Sequence, residues 1–189
     1  MRPDPEIVLE ERPSVYRPAE DSYLLLAAVS LSPGERFLEV GTGTGLLALH
    51  AARITESCAT DVNPDAVALA RANAQRNRLK LGAVRADLMT GLKGPFDVVA
   101  FNPPYLEGRA DTDPDRAWLG GDLGSEVSIR FLRDLPRILS PAGRAYILLS
   151  RANAPARELA ESMFRVEVVG SKALFFEKLE ALELSQGLE

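Results

Sequence analysis

The chain has 189 residues, of which 26% are charged and 46% hydrophobic, a composition typical of a globular protein with one domain. Its formal net charge of −5 disfavours tight, sequence-independent binding to duplex DNA, because such binding usually needs a basic face. A single cysteine, Cys58, and a single histidine, His50, exclude an internal disulfide and a zinc site of the usual Cys/His kind. No apolar run reaches the roughly 18 residues that a membrane span requires. We therefore expect a cytoplasmic domain that binds no metal and whose His50 is a satisfied or solvent-facing helical residue.

Short apolar runs alternate with longer helical patterns along the chain, which predicts a parallel sheet with crossover helices. The predicted elements are a short strand at 7–9, a helix at 20–30, a strand at 36–40, a helix at 46–53, a strand at 57–61, a helix from 64 to about 77, strands at 81–86 and 96–101, a polar loop over about 107–124, a helix up to 139, a turn at 140–143, a strand at 144–150, a helix at 154–163, and strands at 165–170 and 174–184. The connection between the last two strands is short, so they must pair in antiparallel fashion.

A glycine-rich turn follows the first long strand directly, with glycines at Gly41, Gly43 and Gly45. Glycines allow a sharp bend and the close approach of a ligand. The spacing fits neither the dinucleotide fingerprint, which would need a glycine at Leu46, nor the P-loop, which needs a lysine. Glu39 lies in the preceding strand, where its charge would repel phosphate and attract a cation.

Two further acids close the next two predicted strands. In open α/β sheets, ligands bind outside the carboxyl ends of the strands. Asp61 is placed to accept the two hydroxyls of a ribose, and Asp87 to accept an amino proton of adenine beside the backbone N–H of Leu88. Each acid alone is explained equally well as a cap of the following turn. Together with Glu39 they predict a pocket for a positively charged, adenosine-containing ligand.

The fourth strand is followed by the tetrapeptide Asn102-Pro-Pro-Tyr105. Two consecutive prolines fix two φ angles and remove two backbone donors, so the segment is rigid and rich in acceptors. The Asn102 side-chain oxygen and the Pro103 carbonyl are suited to accept both hydrogens of a planar –NH2 group, on which Tyr105 stacks. Such a clamp favours a pyramidal nitrogen whose lone pair attacks an electrophile, by fixed dipoles and positioning. The alternative is an ordinary proline-rich turn after a strand.

With these motifs the sequence resembles the class I S-adenosylmethionine-dependent methyltransferases, and among them the short, archaeal and eukaryotic type of release-factor glutamine N5-methyltransferases. The resemblance rests on the segments 15–22, 38–45, Asp61, 87–88, 102–105 and 117–121. It implies one Rossmann-like α/β domain over 1–189, with a seven-stranded, mostly parallel sheet in the order 3-2-1-4-5-7-6 and the last strand antiparallel. Residues 1–18 would form an extension in place of the helical domain of the bacterial enzymes, and 106–124 a loop on the substrate side.

The resemblance also implies roles for individual residues. S-adenosyl-L-methionine would be the methyl donor, without a metal. The residues implied to bind this cofactor are Ser22, Glu39, Gly41, Gly43, Asp61, Asp87, Leu88 and Asn102. The residues implied to bind the substrate are Asn102, Pro103, Pro104, Tyr105 and Trp118, with Asn102, Pro103 and Tyr105 catalytic.

Two acceptors remain open at this point, since both are planar –NH2 groups: the side-chain amide of a protein glutamine and the exocyclic amine of a base in RNA or DNA. The acidic chain favours the protein, although Arg109, Arg116, Arg130, Arg133 and Arg137 are candidates for a local basic rim. A nucleotide-binding module without catalysis would not need the tetrapeptide, and the glycine spacing disfavours a dehydrogenase.

The third strand is expected at one edge of the sheet, and an exposed edge invites strand addition. In the resembling family a small zinc-binding activator protein docks on this edge. Leu79, Leu81, Val84 and Ala86 are the candidates for that contact, whereas Lys80 and Arg85 would protect the edge. We therefore expect a release factor as protein substrate, an activator subunit as partner, and no membrane.

Overall fold

The computed structural model describes residues 1–104, 125–150, 153–174 and 177–187. Its elements in chain order are α1 (Glu20–Ala28), β1 (Phe37–Val40), α2 (Leu46–Ala52), β2 (Ser57–Asp61), α3 (Pro64–Arg76), β3 (Gly82–Arg85), β4 (Phe96–Phe101), α4 (Glu126–Ile138), β5 (Leu139–Ser150), α5 (Ala154–Met163), β6 (Arg165–Leu174) and β7 (Glu177–Ser185). No helix in these ranges is long and apolar enough to cross a membrane.

The strands form one seven-stranded sheet in the order β3-β2-β1-β4-β5-β7-β6. The five strands β1 to β5 pair in parallel, and β7 runs antiparallel to both of its neighbours, β5 and β6. The predicted fold class, strand order and antiparallel last strand are therefore confirmed. The crossover connections leave the carboxyl ends of β1 to β4 at one edge of the sheet, where ligands of such folds bind.

Helices cover both faces of the sheet, as the side chains of its central strand show. In β4, Val98 and Ala100 pack with the leucines of α1 and α2, whereas Val99 and Phe101 pack with α4 and α5. All four side chains are buried, because successive residues of a strand point to opposite faces and both faces are covered. The sheet is thus held between two apolar layers, which fix the positions of the strand ends.

The predicted strand at 7–9 is wrong, because this segment pairs with side chains and not with the sheet. The backbone of Val8 donates to Asn77 Oδ1 at 2.8 Å and accepts from Asn77 Nδ2 at 2.8 Å. Glu10 makes the same pair with Asn73, at 2.8 and 3.1 Å. A side-chain amide offers a donor and an acceptor, as the backbone of a neighbouring strand does. The backbone of this segment is therefore paired beside helix α3 and not in the sheet, although its apolar pattern resembles that of an edge strand.

Two predicted turns are also wrong, and both contain glycine. The turn predicted at 140–143 lies inside β5, where the pairing with β4 shifts register: Leu139 is opposite Phe96, and Arg144 is opposite Val98. The short connection predicted between the last two strands, Gly170 to Lys172, lies inside β6, beside a second register shift that follows Val168. A glycine within a strand marks a bulge as readily as a turn, and the sequence pattern alone does not separate the two.

Candidate active site

The register of the parallel strands brings the predicted site residues to one place. Val40, the last residue of β1, is opposite Thr60 of β2 on one side and opposite Phe101 of β4 on the other. The residues that follow these positions, Gly41 and Asn102 among them, therefore emerge side by side. Three of the sequence motifs thus meet at the carboxyl edge of the sheet.

The glycine loop adopts a backbone that favours glycine at each of its three positions. The φ angles of Gly41, Gly43 and Gly45 are +65°, +52° and +89°, all in the left-handed region. A Cβ on Gly41 would also lie 3.2 Å from the Phe101 ring, so a side chain there would require the ring to move by a few tenths of an ångström. The loop therefore has the sharp backbone bends that its glycines predicted, and it lies close to β4.

Glu39 lies beneath this loop, buried with 5% of its surface exposed. Its Oε2 accepts hydrogen bonds from Thr42 Oγ1 at 2.6 Å and from the Ala48 N–H at 2.9 Å. Burial, with a smaller contribution from the nearby charge of Asp61, raises the pKa of the Glu39 carboxyl to about 7, against the lowering effect of the hydrogen bonds. The ionised form is thus costly in the protein by itself, and a cation bound near it would stabilise it.

Asp61, at the end of β2, holds the loop from the other side. Its Oδ2 accepts from the Gly43 N–H at 2.9 Å, and its Oδ1 accepts from the Asn63 N–H at 2.9 Å. Burial raises the pKa of the Asp61 carboxyl above its usual range. Each carboxylate oxygen has a second lone pair, so these contacts leave acceptor capacity for two hydroxyl groups.

Asp87 stands apart from this cluster. It lies two residues beyond β3, its side chain is 54% exposed, and its Oδ2 accepts from Arg130 Nη2 of α4 at 2.6 Å. Leu88 follows with a φ of +52°, unusual for a residue with a side chain. The sequence pattern suggested Arg130 only for a local basic rim and gave no sign of its pairing with Asp87. The adenine-binding role of Asp87 and Leu88 remains a proposal.

Asn102 makes the contact that defines the site. Its Nδ2 donates to Asp21 Oδ2 at 2.9 Å. Its Oδ1 is buried and has no hydrogen-bond partner within the described part of the chain. A buried acceptor without a partner is costly, and such atoms in native proteins commonly mark a functional site. The amide oxygen on which the predicted chemistry depends is thus an acceptor without a partner among the described residues.

Asp21 is the site residue that the sequence analysis missed. It lies in the first turn of α1, with 3% of its surface exposed. It accepts from Tyr16 Oη at 2.8 Å, from the Ser22 N–H at 2.7 Å and from Ser22 Oγ at 3.2 Å, in addition to Asn102. Its only signal was its place in the segment 15–22, next to Ser22, which the resemblance did single out.

The remaining predicted residues have varied positions. Ser22 is buried in contact with Asp21; Pro103 is buried and Pro104 is half-buried beside Asn102. Tyr105 and Trp118 lie outside the described residues.

His50 is a hydrogen-bonded residue of helix α2, which is one of the two environments expected for it. It donates from Nδ1 to the Leu46 carbonyl at 2.7 Å and accepts at Nε2 from the Asp4 N–H at 2.9 Å. Burial lowers the pKa of its imidazole.

Comparison with known proteins identifies the family of the chain. The model of the methyltransferase small domain family matches residues 14–176. The chain belongs to this family. As a member it is a methyltransferase, and its sheet of seven strands in the observed order is the Rossmann-like fold of such enzymes.

Three similar proteins differ in what they are named to act on. A protein of Methanocaldococcus jannaschii named as a putative protein N5-glutamine methyltransferase is 36% identical over 182 residues, and the alignment covers 92% of each of the two chains. The Mtq2–Trm112 complex of E. cuniculi, responsible for methylation of the eRF1 translation termination factor, matches with a TM-score of 0.74 and 29% identity over 92% of this chain and 99% of that chain. A tRNA1(Val) (adenine(37)-N6)-methyltransferase of a Flavobacteriaceae bacterium is 31% identical, over 81% of this chain and 68% of the relative.

Proposed function

We propose that this protein transfers a methyl group from S-adenosyl-L-methionine to the side-chain amide nitrogen of a glutamine in a peptide-chain release factor. The observation that carries the proposal is the buried Asn102 Oδ1, an acceptor without a partner in the described residues, beside the glycine loop. Two of the similar proteins named above support the choice of acceptor, one by its glutamine name and one by its release-factor substrate.

The residues around the loop fit this cofactor. Glycines with positive φ admit a ligand close to the backbone, Asp61 keeps acceptor capacity for ribose hydroxyls, and Glu39 is a buried acid that a positive charge would stabilise. S-adenosyl-L-methionine supplies an electrophilic methyl group on a sulfonium and carries an α-ammonium group. Asp61 and Glu39 would thus bind and orient the donor at the ends of β1 and β2.

The protein's own part in the reaction is to position the acceptor nitrogen. Asn102 Oδ1 and the Pro103 carbonyl would each accept one hydrogen of the glutamine –NH2 group. The amide lone pair is delocalised, and two acceptors that pull on the hydrogens favour a nitrogen whose lone pair is available for attack. The fixed dipoles lower the barrier without a strong base, because the proton is lost only after the nitrogen has become positively charged.

Methyl transfer onto defined acceptors tests this proposal. Purified protein is incubated with radiolabelled S-adenosyl-L-methionine and a release-factor domain, and in parallel with tRNA and with DNA. We expect label on the protein, located by mass spectrometry on a glutamine side chain. A release-factor domain with that glutamine changed to asparagine is the matched control and should stay unlabelled. Label on nucleic acid alone would favour a base amine as the acceptor and refute the proposal.

The ribose role of Asp61 gives a quantitative expectation. In Asp61→Asn the uncharged amide must place either a donor or a weaker acceptor against the backbone N–H groups of Gly43 and Asn63. We expect S-adenosyl-L-methionine to bind about 10 to 100 times more weakly by calorimetry. Asp65→Asn changes an exposed acid in the next helix and should leave the affinity unaltered. Equal affinities of the two variants would contradict the assignment.

We further propose that an activator subunit docks on the β3 edge. Among the described strands, β3 pairs with β2 alone, and the side chain of Val84 in β3 is 47% exposed. An unpaired edge with an exposed β-branched residue suits strand addition. The solved Mtq2 structure contains a second protein, Trm112, which supports the existence of a partner.

The other edge of the sheet supplies a matched control for this interface. Val168 of β6 is 45% exposed, similar to Val84. Val84→Glu places a charge within the proposed contact, so we expect a complex with a co-expressed Trm112-like protein to weaken about tenfold or more. Val168→Glu should bind normally in the same titration. If both variants bind as the parent protein does, the partner does not use the β3 edge.

A further inference from the structure

We propose that Asp21 is a positioning residue of the methyltransferase, which fixes the Asn102 amide so that its oxygen faces the acceptor nitrogen. The inference deepens the proposed function and rests on it. Asp21 and Asn102 lie 81 positions apart in sequence, and their side chains meet at 2.9 Å between Nδ2 and Oδ2. The contact links the first turn of α1 to the end of β4.

An asparagine amide has nearly the same shape in its two orientations, so shape alone does not choose between them. An ionised carboxylate only accepts hydrogen bonds, and therefore it requires the –NH2 group of Asn102 on its side. The amide oxygen must then point away from Asp21. The reverse orientation would present –NH2 to the –NH2 of the substrate, a donor against a donor.

The contacts of Asp21 restrain its carboxylate as a positioning role requires. Oδ2 accepts from Asn102 Nδ2 and from Tyr16 Oη at 2.8 Å, and Oδ1 accepts from Ser22 N–H at 2.7 Å and Ser22 Oγ at 3.2 Å. Donors thus contact both oxygens, so the carboxylate cannot rotate without breaking hydrogen bonds. With 3% of its surface exposed, it is also shielded from water that could replace Asn102.

A purely structural role is the alternative, because an acid in the first turn of a helix interacts favourably with the helix dipole. The two roles predict different outcomes. A dipole contact contributes to stability, and its loss would leave kcat of the folded enzyme unchanged. A positioning contact acts on the reacting nitrogen, and its loss would lower kcat while cofactor affinity is retained.

The test compares Asp21→Asn with Glu20→Gln, a neighbouring acid on α1 whose exposed side chain pairs with Lys172. Both changes neutralise one carboxylate at nearly constant shape. For Asp21→Asn we expect kcat for release-factor methylation to fall about 100-fold, with the dissociation constant for S-adenosyl-L-methionine within about threefold of the parent value. Glu20→Gln should keep the parent kcat. An unchanged kcat in folded Asp21→Asn would overturn the inference.

An exchange of the two side chains gives a second, independent readout. Asn102→Asp alone sets two carboxylates against each other. In the double variant Asp21→Asn/Asn102→Asp, the new amide at position 21 donates to the new carboxylate at position 102, whose other oxygen still accepts from the substrate. We expect the double variant to be at least about tenfold faster than Asn102→Asp. A double variant no faster than that single variant would count against the inference.

Nuclear magnetic resonance of the cofactor-free protein separates this inference from the proposed function. The Asn102 side-chain –NH2 resonances, assigned from their loss in Asn102→Ala, should move and exchange faster with solvent in Asp21→Asn than in Glu20→Gln. Equal spectra would overturn the inference whatever the substrate. If the parent protein labels no glutamine and yet these resonances respond to Asp21, the proposed function fails while the orientation of Asn102 by Asp21 stands.

Discussion

Asn102→Ala is expected to lower kcat for glutamine methylation by about 10² to 10³, the cost of removing one preorganised hydrogen-bonding group that acts in the transition state. The side chain supplies the buried Oδ1, which would accept one of the two amide hydrogens of the substrate. Its loss leaves the nitrogen with a single acceptor and a freer orientation. Single-turnover methyl transfer with saturating S-adenosyl-L-methionine measures the chemical step directly.

Asn77→Ala is the matched control, since Asn77 also bonds through its side-chain amide but holds the backbone of Val8 beside α3. We expect this variant to lose some stability and to keep its single-turnover rate. The comparison of the two variants therefore distinguishes the general effect of removing a side-chain amide from the specific effect of removing the Asn102 amide. An Asn102→Ala protein with an undiminished rate would show that the nitrogen is activated by other groups.

Glu39→Gln is expected to stabilise the cofactor-free protein above neutral pH. Below pH 4.5 the carboxyl is protonated in both the folded and the unfolded chain, and it has no pH-dependent effect. Between pH 4.5 and about 7 the unfolded chain ionises while the folded protein keeps the proton, because burial raises the pKa of Glu39 to about 7. The free energy of unfolding therefore falls over this range, by about 3 kcal/mol in total, and is constant above it.

The glutamine variant should lack this fall, because its amide does not titrate and its oxygen still accepts from Thr42 and Ala48. Urea unfolding at pH 5, 6, 7 and 8 gives the comparison, with the largest advantage of the variant, up to about 3 kcal/mol, at pH 8. Glu56→Gln neutralises an exposed acid near β2 and should follow the parent curve. Parallel curves for Glu39→Gln and the parent protein would mean that Glu39 titrates as it does in the unfolded chain.

The sequence predicts well which residues come together at the strand ends. Gly41, Asp61 and Asn102 each follow a short apolar run, and in a parallel sheet those ends lie along one edge. The identity of the residues and the position of the strands then suffice to bring them together. Strand order and the position of β3 at an edge follow in the same way from the family resemblance and agree with the structure.

Contacts between side chains of distant segments could not be predicted from the sequence. The bond between Asp21 and Asn102 depends on the packing of α1 against the sheet, and the pair of Asp87 with Arg130 depends on that of α4. Neither pair belongs to a sequence motif whose spacing would have predicted the contact. The errors at 7–9, 140–143 and 170 have a local cause, because amide pairing and bulges show the same residue patterns as strands and turns.

Asn73, whose side chain is fully buried, joins the leading segment of the chain to the glycine loop. Its Nδ2 donates both to the Glu10 carbonyl and to the Thr44 carbonyl, the latter at 2.9 Å. Glu10 and the loop at 41–45 are therefore connected through a single buried side chain, although they are remote in sequence. A substitution that moves the backbone at Glu10 is therefore expected to disturb Asn73 and, through it, the glycine loop that would bind the methyl donor under the proposed function.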